Sequence, residues 1–426
     1  MVLSVLVHLN SLKSAVPAAF MLGLAPQYFT GIVGWRAVSA VFPERWFRAV
    51  DDRIWGTFQR VVEFFFESLT GTEIILYGDY NALEAKENVI YLCNHQSTMD
   101  WIVVDMMAIR AGCLGRCRFI LKDGLKYFPL FGYYFNLHGG IYVKRGRNFD
   151  ESNKQRIMRR LSNFREKKLR KRVAQHKKGC RTMETKPSST TRVIIWMIVY
   201  PEGTRFKPKE PGLLLASRQF AENQVATAIP LTTVPQTDVT CLQQQTSQSL
   251  FSRAPGVHQV LSPRYKATYL MVQGLKGHAQ AIYDVTIAYS GDLFRMPDGT
   301  ILRETAPSMG DFLSGKCKQV HIHLRRIPMD GIPDDENEFQ RWLHGVFQDK
   351  DKMLLDFYSA SPEKQGRLHG EGHSSPLSIM STLPAFLFSC GLMVPVFGTT
   401  LGRQYYWRTW IVGSLLCCFW MKFVTR

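Results

Sequence analysis

The chain has 426 residues, with 53 Lys and Arg against 35 Asp and Glu and a formal net charge of +18. That length leaves ample sequence for a core in one large domain or two, and the mean hydropathy of −0.11 is that of a soluble protein. The nine cysteines form no Cys-x-x-Cys pair, which excludes a disulfide scaffold and points to a reduced, cytosol-facing protein. Cys113 and Cys117 have no matching Cys or His pair at zinc-site spacing, so no metal is expected.

The average hydropathy hides segregation along the chain. Ser14–Trp35 is 22 residues without a charge and Pro376–Gly402 is 27; a bilayer crossing needs about 20 mostly apolar residues. Pro17 and Pro26 predict a kinked or re-entrant first run. It does not read as a cleaved signal peptide, because Met1–Asn10 has no basic start and the apolar region is too long. Residues 1–42 are thus expected to form an N-terminal membrane segment. Residues 43–72 follow as amphipathic helices, with Trp46, Phe47, Val50, Ile54, Trp55 and Phe58 at helical spacing; they suit either a membrane interface or a buried face.

From residue 73 to 330 short apolar runs alternate with helical patterns. Strands are expected at Ile74–Tyr77, Val89–Cys93, Arg118–Leu121, Gly140–Lys144, Val193–Tyr200, Ile282–Tyr289 and Val320–Leu324. Helices are expected at Asp100–Arg110, Leu125–Phe135, Glu151–Phe164 and Ala216–Asn223. The alternation predicts an α/β domain with a mixed central sheet and flanking helices. Two polar stretches, 165–192 and 224–256, interrupt it and read as disordered insertions. Residues 331–375 supply a helix over Asp334–Tyr358 and a polar linker. Residues 376–426 read as two membrane helices joined near Arg403–Arg408.

Most of the positive charge is local: Tyr142–Glu210 holds 21 Lys/Arg against 6 Asp/Glu. With apolar runs at both ends of the chain, phospholipid head groups fit this block better than nucleic acid, for which there is no binding motif beyond charge.

Four short stretches stand at expected strand ends, where open α/β sheets place their sites. The first is Asn94-His95-Gln96-Ser97-Thr98-Met99-Asp100. On one regular helix the His95–Asp100 spacing would separate the side chains by roughly 140°, so they meet only if His95 stands in the turn before the helix. Ser97 as N-cap with Asp100 three residues on would explain the carboxylate without chemistry, but it leaves His95 unexplained. A neutral imidazole oriented by a carboxylate is a general base. No Gly-x-Ser-x-Gly elbow accompanies it, so the base must act on a hydroxyl of the substrate. The second stretch, Gly139-Gly140-Ile141-Tyr142-Val143-Lys144-Arg145, ends a strand in a fork suited to an anion. The third is Tyr200-Pro201-Glu202-Gly203-Thr204-Arg205, a tight turn closing an apolar strand. The fourth is Leu261-Ser262-Pro263-Arg264.

These four stretches, in this order, resemble the four motifs of the glycerolipid acyltransferases. Leu121–Lys126 and Tyr283–Thr286 bring the resemblance to the 1-acylglycerol-3-phosphate acyltransferases, over most of the chain. It implies an α/β acyltransferase that moves an acyl group from acyl-CoA, a co-substrate, to the sn-2 hydroxyl of lysophosphatidic acid, giving phosphatidic acid without a cofactor. His95 would be the base and Asp100 its orienter; Arg145 would hold the acceptor phosphate; Glu202, Gly203 and Arg205 would position the acceptor, with Thr204 beside them. An endoplasmic reticulum membrane is the implied location, with mitochondrial or nuclear-envelope membrane as alternatives. Two departures from the family pattern stand out: residues 165–192 widen the gap between Arg145 and Tyr200, and 224–256 replace a short helix and strand before Leu261. If these loop out, the site survives. If they displace the strand before Glu202, a lipid-binding protein without catalysis remains. Another lysophospholipid acceptor, lysophosphatidylinositol or lysocardiolipin, is the alternative within the class.

Overall fold

A computed structural model describes residues 2–144, 151, 154–161, 195–228, 259–291, 293–295, 301–303, 305–359 and 365–424. Arg145, the stretch 165–192 and residues 229–256 lie outside them. The chain begins with α1 (Val2–Gly23), α2 (Ala25–Val38) and α3 (Glu44–Glu63). The sheet domain follows as β1 (Glu73–Gly78), β2 (Val89–Cys93), α4 (Asp100–Arg110), β3 (Cys117–Lys122), α5 (Phe131–His138), β4 (Ile141–Val143) and β5 (Trp196–Val199). After the helices Pro211–Ala228 and Tyr265–Leu275 come β6 (Ala281–Tyr289), the hairpin β7 (Leu293–Arg295) and β8 (Ile301–Arg303), β9 (Gln319–Pro328) and β10 (His373–Ser374).

Eight strands make one mixed sheet in the order β10-β1-β9-β6-β2-β5-β3-β4. The run from β6 to β4 is parallel throughout, while β9 lies antiparallel to β6. The C-terminal ends of β2, β3, β4, β5 and β6 therefore share one rim. Both faces are covered, which is why β2 and β6 are buried along their whole length and read as continuous apolar runs. Alternation divides their side chains. Val89, Tyr91 and Cys93 pack with Ile102, Val103, Met106 and Met107 of α4. Ile90 and Leu92 pack with Met271 and Val272 of Tyr265–Leu275 and with Leu343 and Phe347 of the helix Glu336–Phe357.

Two polar networks pin the layers together. Asp284 of β6 is 1% exposed and pairs with the fully buried Lys350, 2.5 Å away, and with Arg325 at 2.8 Å. On the α3 side, Arg118 of β3 donates to Asp52 at 2.5 Å and to His138 Nε2 at 2.6 Å, while His138 Nδ1 faces Asp51 at 3.0 Å. The guanidinium fills the space between the Asp51–Asp52–His138 group, and burial with the neighbouring Arg118 lowers the His138 pKa. Of the aromatic residues of α3, Phe47, Trp55 and Phe58 are buried while Trp46 is 55% exposed.

Several sequence expectations change. Pro129 divides the expected helix Leu125–Phe135 into a short turn, Asp123–Tyr127, and α5. The polar linker contains β10, which pairs with β1. Tyr265–Leu275 is a helix that was not anticipated, burying Thr268, Met271, Val272 and Leu275. The C-terminal apolar helices do not join near Arg403–Arg408. Leu383–Gly398 and Thr400–Phe423 meet at Thr399 with a bend of 107°: the first helix runs through Pro395 and ends at Gly398, and Thr399, in extended geometry, caps the next helix by accepting Gly402 N–H at 2.9 Å. At the N-terminus the apolar run divides at Leu24, and Lys13–Val41 is long and apolar enough to cross a membrane.

Replacing Asp284 with Leu leaves the Lys350 ammonium buried without its carboxylate, a change that costs roughly 3–5 kcal/mol. We expect the Asp284→Leu protein to lose thermal stability steeply in detergent; an unchanged melting temperature would show that the pair is not a structural pin.

Candidate active site

The strand β2 hands over to α4 through six residues, Asn94–Met99, and its neighbour β6 shapes the turn. Asn94 uses its side-chain amide as a further strand residue, accepting Ile287 N–H at 2.8 Å and donating to Ile287 C=O at 3.1 Å. Gln96 Nε2 donates to the same carbonyl at 2.8 Å. His95, between them, is turned the other way. Its Nδ1 lies 2.7 Å from Asp100 Oδ2, so the two side chains meet as the turn geometry requires.

Asp100 is the focus of the turn. Its carboxylate also accepts Gln96 N–H at 2.7 Å, Ser97 N–H at 3.0 Å and the Tyr289 hydroxyl at 2.6 Å. The Ser97–Asp100 pair forms ahead of the helix rather than at its N-cap position, which Met99 occupies: Ser97 Oγ accepts Met99 N–H and donates to Pro307 C=O, while Asp100, the first helical residue, ties back the N–H groups of Gln96 and Ser97. A carboxylate is acceptor-only, so Nδ1 carries the imidazole proton and Nε2 keeps its lone pair. The His95 side chain is 19% exposed against 1% for Asp100; one edge of the ring is anchored and the other is open. Tyr200 packs against it with ring centroids 4.6 Å apart and the planes tilted by 31°. Burial raises the Tyr200 pKa well above its ordinary value, keeping the ring neutral beside the imidazole.

The stretch Tyr200–Arg205 follows β5, which lies between β2 and β3. The strand before Glu202 is therefore in place. Glu202 is 2% exposed, and its oxygens accept His95 N–H at 2.7 Å and Leu261 N–H at 3.0 Å. Phe206 N–H returns to His95 C=O at 2.7 Å, and Arg264 N–H reaches Pro201 C=O at 2.8 Å. One buried carboxylate thus joins three of the four stretches found in the sequence. Gly203 sits at φ +71°, a conformation that favours glycine. Arg205 opens onto a cleft of about 310 Å³ bounded by Gln96–Thr98, Lys207–Glu210 and Thr305–Ser308; Thr204 is half-buried beside it. Of the expected site residues, His95, Asp100, Glu202, Gly203, Thr204 and Arg205 come together, and Arg145 lies outside the described residues. Lys144, exposed at the end of β4, ends on the same rim.

Tyr289 and the Thr305–Ser308 wall were not singled out from sequence, and Asn94 and Gln96 stood in the first stretch without a role for their side chains. Tyr289 ends a strand that was expected, but only the strand order places that end beside Asp100. The assembly has the parts of a general base: an imidazole of fixed tautomer, a buried partner for the imidazolium, and an open Nε2. Removing the Tyr289 hydroxyl takes one hydrogen bond from Asp100, worth about 0.5–1.5 kcal/mol. Tyr289→Phe is expected to fold normally and lose several-fold in kcat; an unchanged kcat would separate Tyr289 from the site.

A family model described as acyltransferase matches residues 74–237, and one described as acyltransferase C-terminus matches 311–389. The chain is similar to 1-acyl-sn-glycerol-3-phosphate acyltransferase epsilon of Mus musculus, with 36% identity over 99% of each chain. It is also similar to probable 1-acyl-sn-glycerol-3-phosphate acyltransferase 5 of Arabidopsis thaliana, at 28% identity over 78% of this chain and 70% of that protein. The gamma enzyme of Homo sapiens is 25% identical over 78% of this chain and 69% of its own length. With a His–Asp pair on the rim of an α/β sheet and a relative matched from end to end, the chain belongs to the 1-acyl-sn-glycerol-3-phosphate acyltransferase family and is an enzyme of acyl transfer.

Proposed function

We propose that this protein transfers an acyl group from acyl-CoA to the sn-2 hydroxyl of lysophosphatidic acid, releasing CoA and phosphatidic acid at a membrane surface. The observation that carries the reading is the open Nε2 of His95, held by Asp100. Nε2 takes the hydroxyl proton while the oxygen attacks the thioester carbonyl. The tetrahedral intermediate collapses with cleavage of the C–S bond, and the imidazolium returns its proton to the departing thiolate. Asp100 stabilises the imidazolium between these steps. The atoms balance with the two substrates and one base, so the mechanism calls on no cofactor and no metal. Arg145, directly after Lys144, is assigned the acceptor phosphate, for which a guanidinium fork is suited. Glu202 supports the acceptor pocket indirectly, through the main chain of His95; Gly203 and Thr204 border the turn, and Arg205 faces the cleft.

Membrane attachment is part of the proposal. Lys13–Val41 is apolar enough to cross a membrane, and the bent pair after Leu383 exposes Phe397, Leu401, Trp407, Ile411, Leu415 and Phe419 at 60–75% each. Apolar surface on this scale marks contact with lipid. An endoplasmic reticulum membrane is the proposed location, where lysophospholipid and acyl-CoA meet; mitochondrial and nuclear-envelope membranes are the alternatives.

The test is CoA release by the full chain in lipid nanodiscs with oleoyl-CoA and lysophosphatidic acid, beside lysophosphatidylinositol and lysocardiolipin. Wild type is expected to turn over lysophosphatidic acid fastest. His95→Ala is expected to lose at least about a thousandfold with its circular dichroism unchanged. Equal activity in His95→Ala would refute the mechanism, and faster turnover of another lysophospholipid would change the acceptor.

A further inference from the structure

The stretch Leu121–Lys126 carries part of the family resemblance, yet the acyl-transfer chemistry gives it no task. It leaves the end of β3 on the catalytic rim and runs through the turn Asp123–Tyr127 towards α5. Leu125, Tyr127 and Phe128 of this connection are 41–45% exposed. Single exposed apolar residues are ordinary, but three within four positions of one loop make a patch.

The backbone enforces that exposure. Leu130 sits at φ 59° and ψ −49°, and Phe131 N–H donates to Pro129 C=O at 2.6 Å, a γ-turn of the rare, strained hand. A leucine stays in such a turn only where its surroundings hold it. Here both apolar ends of the chain do so. Leu130 is buried among Ala25 of α2 and Cys417 of the helix Thr400–Phe423. A Cβ on Gly413 would stand 3.3 Å from Leu130 Cδ2, so the glycine lets the C-terminal helix close on the turn. Cys418 Sγ of the same helix donates to Tyr127 C=O at 3.5 Å. Leu130 is drawn in between the apolar helices, and the residues before it are held outward.

What continues the patch identifies its occupant. The C-terminal helix beside it exposes Leu415, Leu416, Phe419 and Trp420 at 56–68%, part of the surface assigned above to lipid. The charges match. Lys122 is exposed behind the tip, and Lys126 turns back onto Asp123 at 2.8 Å with its ammonium 5.1 Å from the Tyr127 ring centre. An apolar and aromatic tip with lysines behind it suits a bilayer interface. In the sheet β3 is two strands from β2, about 10 Å at the usual strand spacing, so this edge of the rim brings lipid close to His95. A lysolipid that came through water would expose every methylene of its chain, whereas one crossing this edge keeps the chain in lipid.

We infer that Leu125, Tyr127 and Phe128 insert into the bilayer beside the C-terminal helix and form the edge of the rim over which the membrane-held acceptor reaches His95. The inference rests on the membrane-bound acyl-transfer reading above and adds the route by which the acceptor arrives.

The full chain in nanodiscs tests it. A fluorescent amino acid in place of Phe128 is expected to be quenched by lipids brominated on their acyl chains. The same amino acid in place of Leu355, exposed on the helix Glu336–Phe357, is expected to stay bright. Leu125→Ser/Tyr127→Ser/Phe128→Ser is expected to raise KM for oleoyl-lysophosphatidic acid in the bilayer about tenfold, or 1.4 kcal/mol, and to leave turnover of water-soluble hexanoyl-lysophosphatidic acid unchanged. Leu125→Phe/Tyr127→Leu/Phe128→Leu, which keeps the surface apolar, is expected to match wild type. Unquenched fluorescence at position 128 would overturn the inference, and so would an unchanged KM in the serine variant. An equal loss with both acceptors would also overturn it, by placing the loop in the site itself. Should wild type transfer nothing, the fluorescence still decides: quenching at position 128 supports insertion while the acyl-transfer reading fails, and its absence refutes insertion.

Discussion

The Asp100 carboxylate gathers donors from three directions: the His95 ring, the main chain of Gln96 and Ser97, and the Tyr289 hydroxyl at the end of β6. Much of the rim depends on that convergence. It folds the chain back between β2 and α4, starts the helix from inside its first turn, and fixes which imidazole nitrogen bears the proton. A carboxylate with so many partners in a site 1% exposed is held without rotational freedom, and the imidazole inherits that order. The same group holds the turn and, in the mechanism proposed above, would stabilise the imidazolium, so capping and catalysis are not competing explanations here.

Glu202 repeats this arrangement one strand away. It binds main-chain N–H groups of His95 and Leu261, so the loops after β2 and β5 and the segment before Arg264 move as one body. Without it two buried N–H groups would lack acceptors, at roughly 1–3 kcal/mol each. The consequence is preorganisation: the open Nε2 is aimed by the sheet rather than by a mobile loop. The parallel run from β6 to β4 is what lets residues as distant in sequence as Lys122 and Ser308 border one rim.

What could be read from the residues was local. Val89–Cys93 and Asp100–Arg110 have the same bounds in sequence and structure, because a fully buried strand and an apolar helix ending at a glycine leave strong periodic signals. The His95–Asp100 contact was legible because only six residues separate strand end from helix turn. Tyr289 was not, since β6 follows β2 by nearly two hundred residues and their pairing is a long-range choice. Glu202 stood out only as part of a tight turn; that its side chain turns inward onto main-chain N–H groups is a direction that turn chemistry does not disclose. The bend falls at Thr399 rather than near the charges of Arg403 and Arg408 because a threonine in extended geometry caps the second helix, and one threonine in an apolar run carries no periodic signal. β10 has two residues, too few for any pattern.

In the proposed mechanism Asp100 holds His95 in the tautomer whose Nε2 accepts the substrate proton. Asp100→Asn tests it most directly, because the amide keeps the shape but can place a donor against Nδ1 and drive the proton to Nε2. In single-turnover measurements of acyl transfer the account predicts a loss of about 10³–10⁴ in rate for Asp100→Asn with folding retained. A correctly folded Asp100→Asn protein transferring acyl groups within a few-fold of wild type would contradict it.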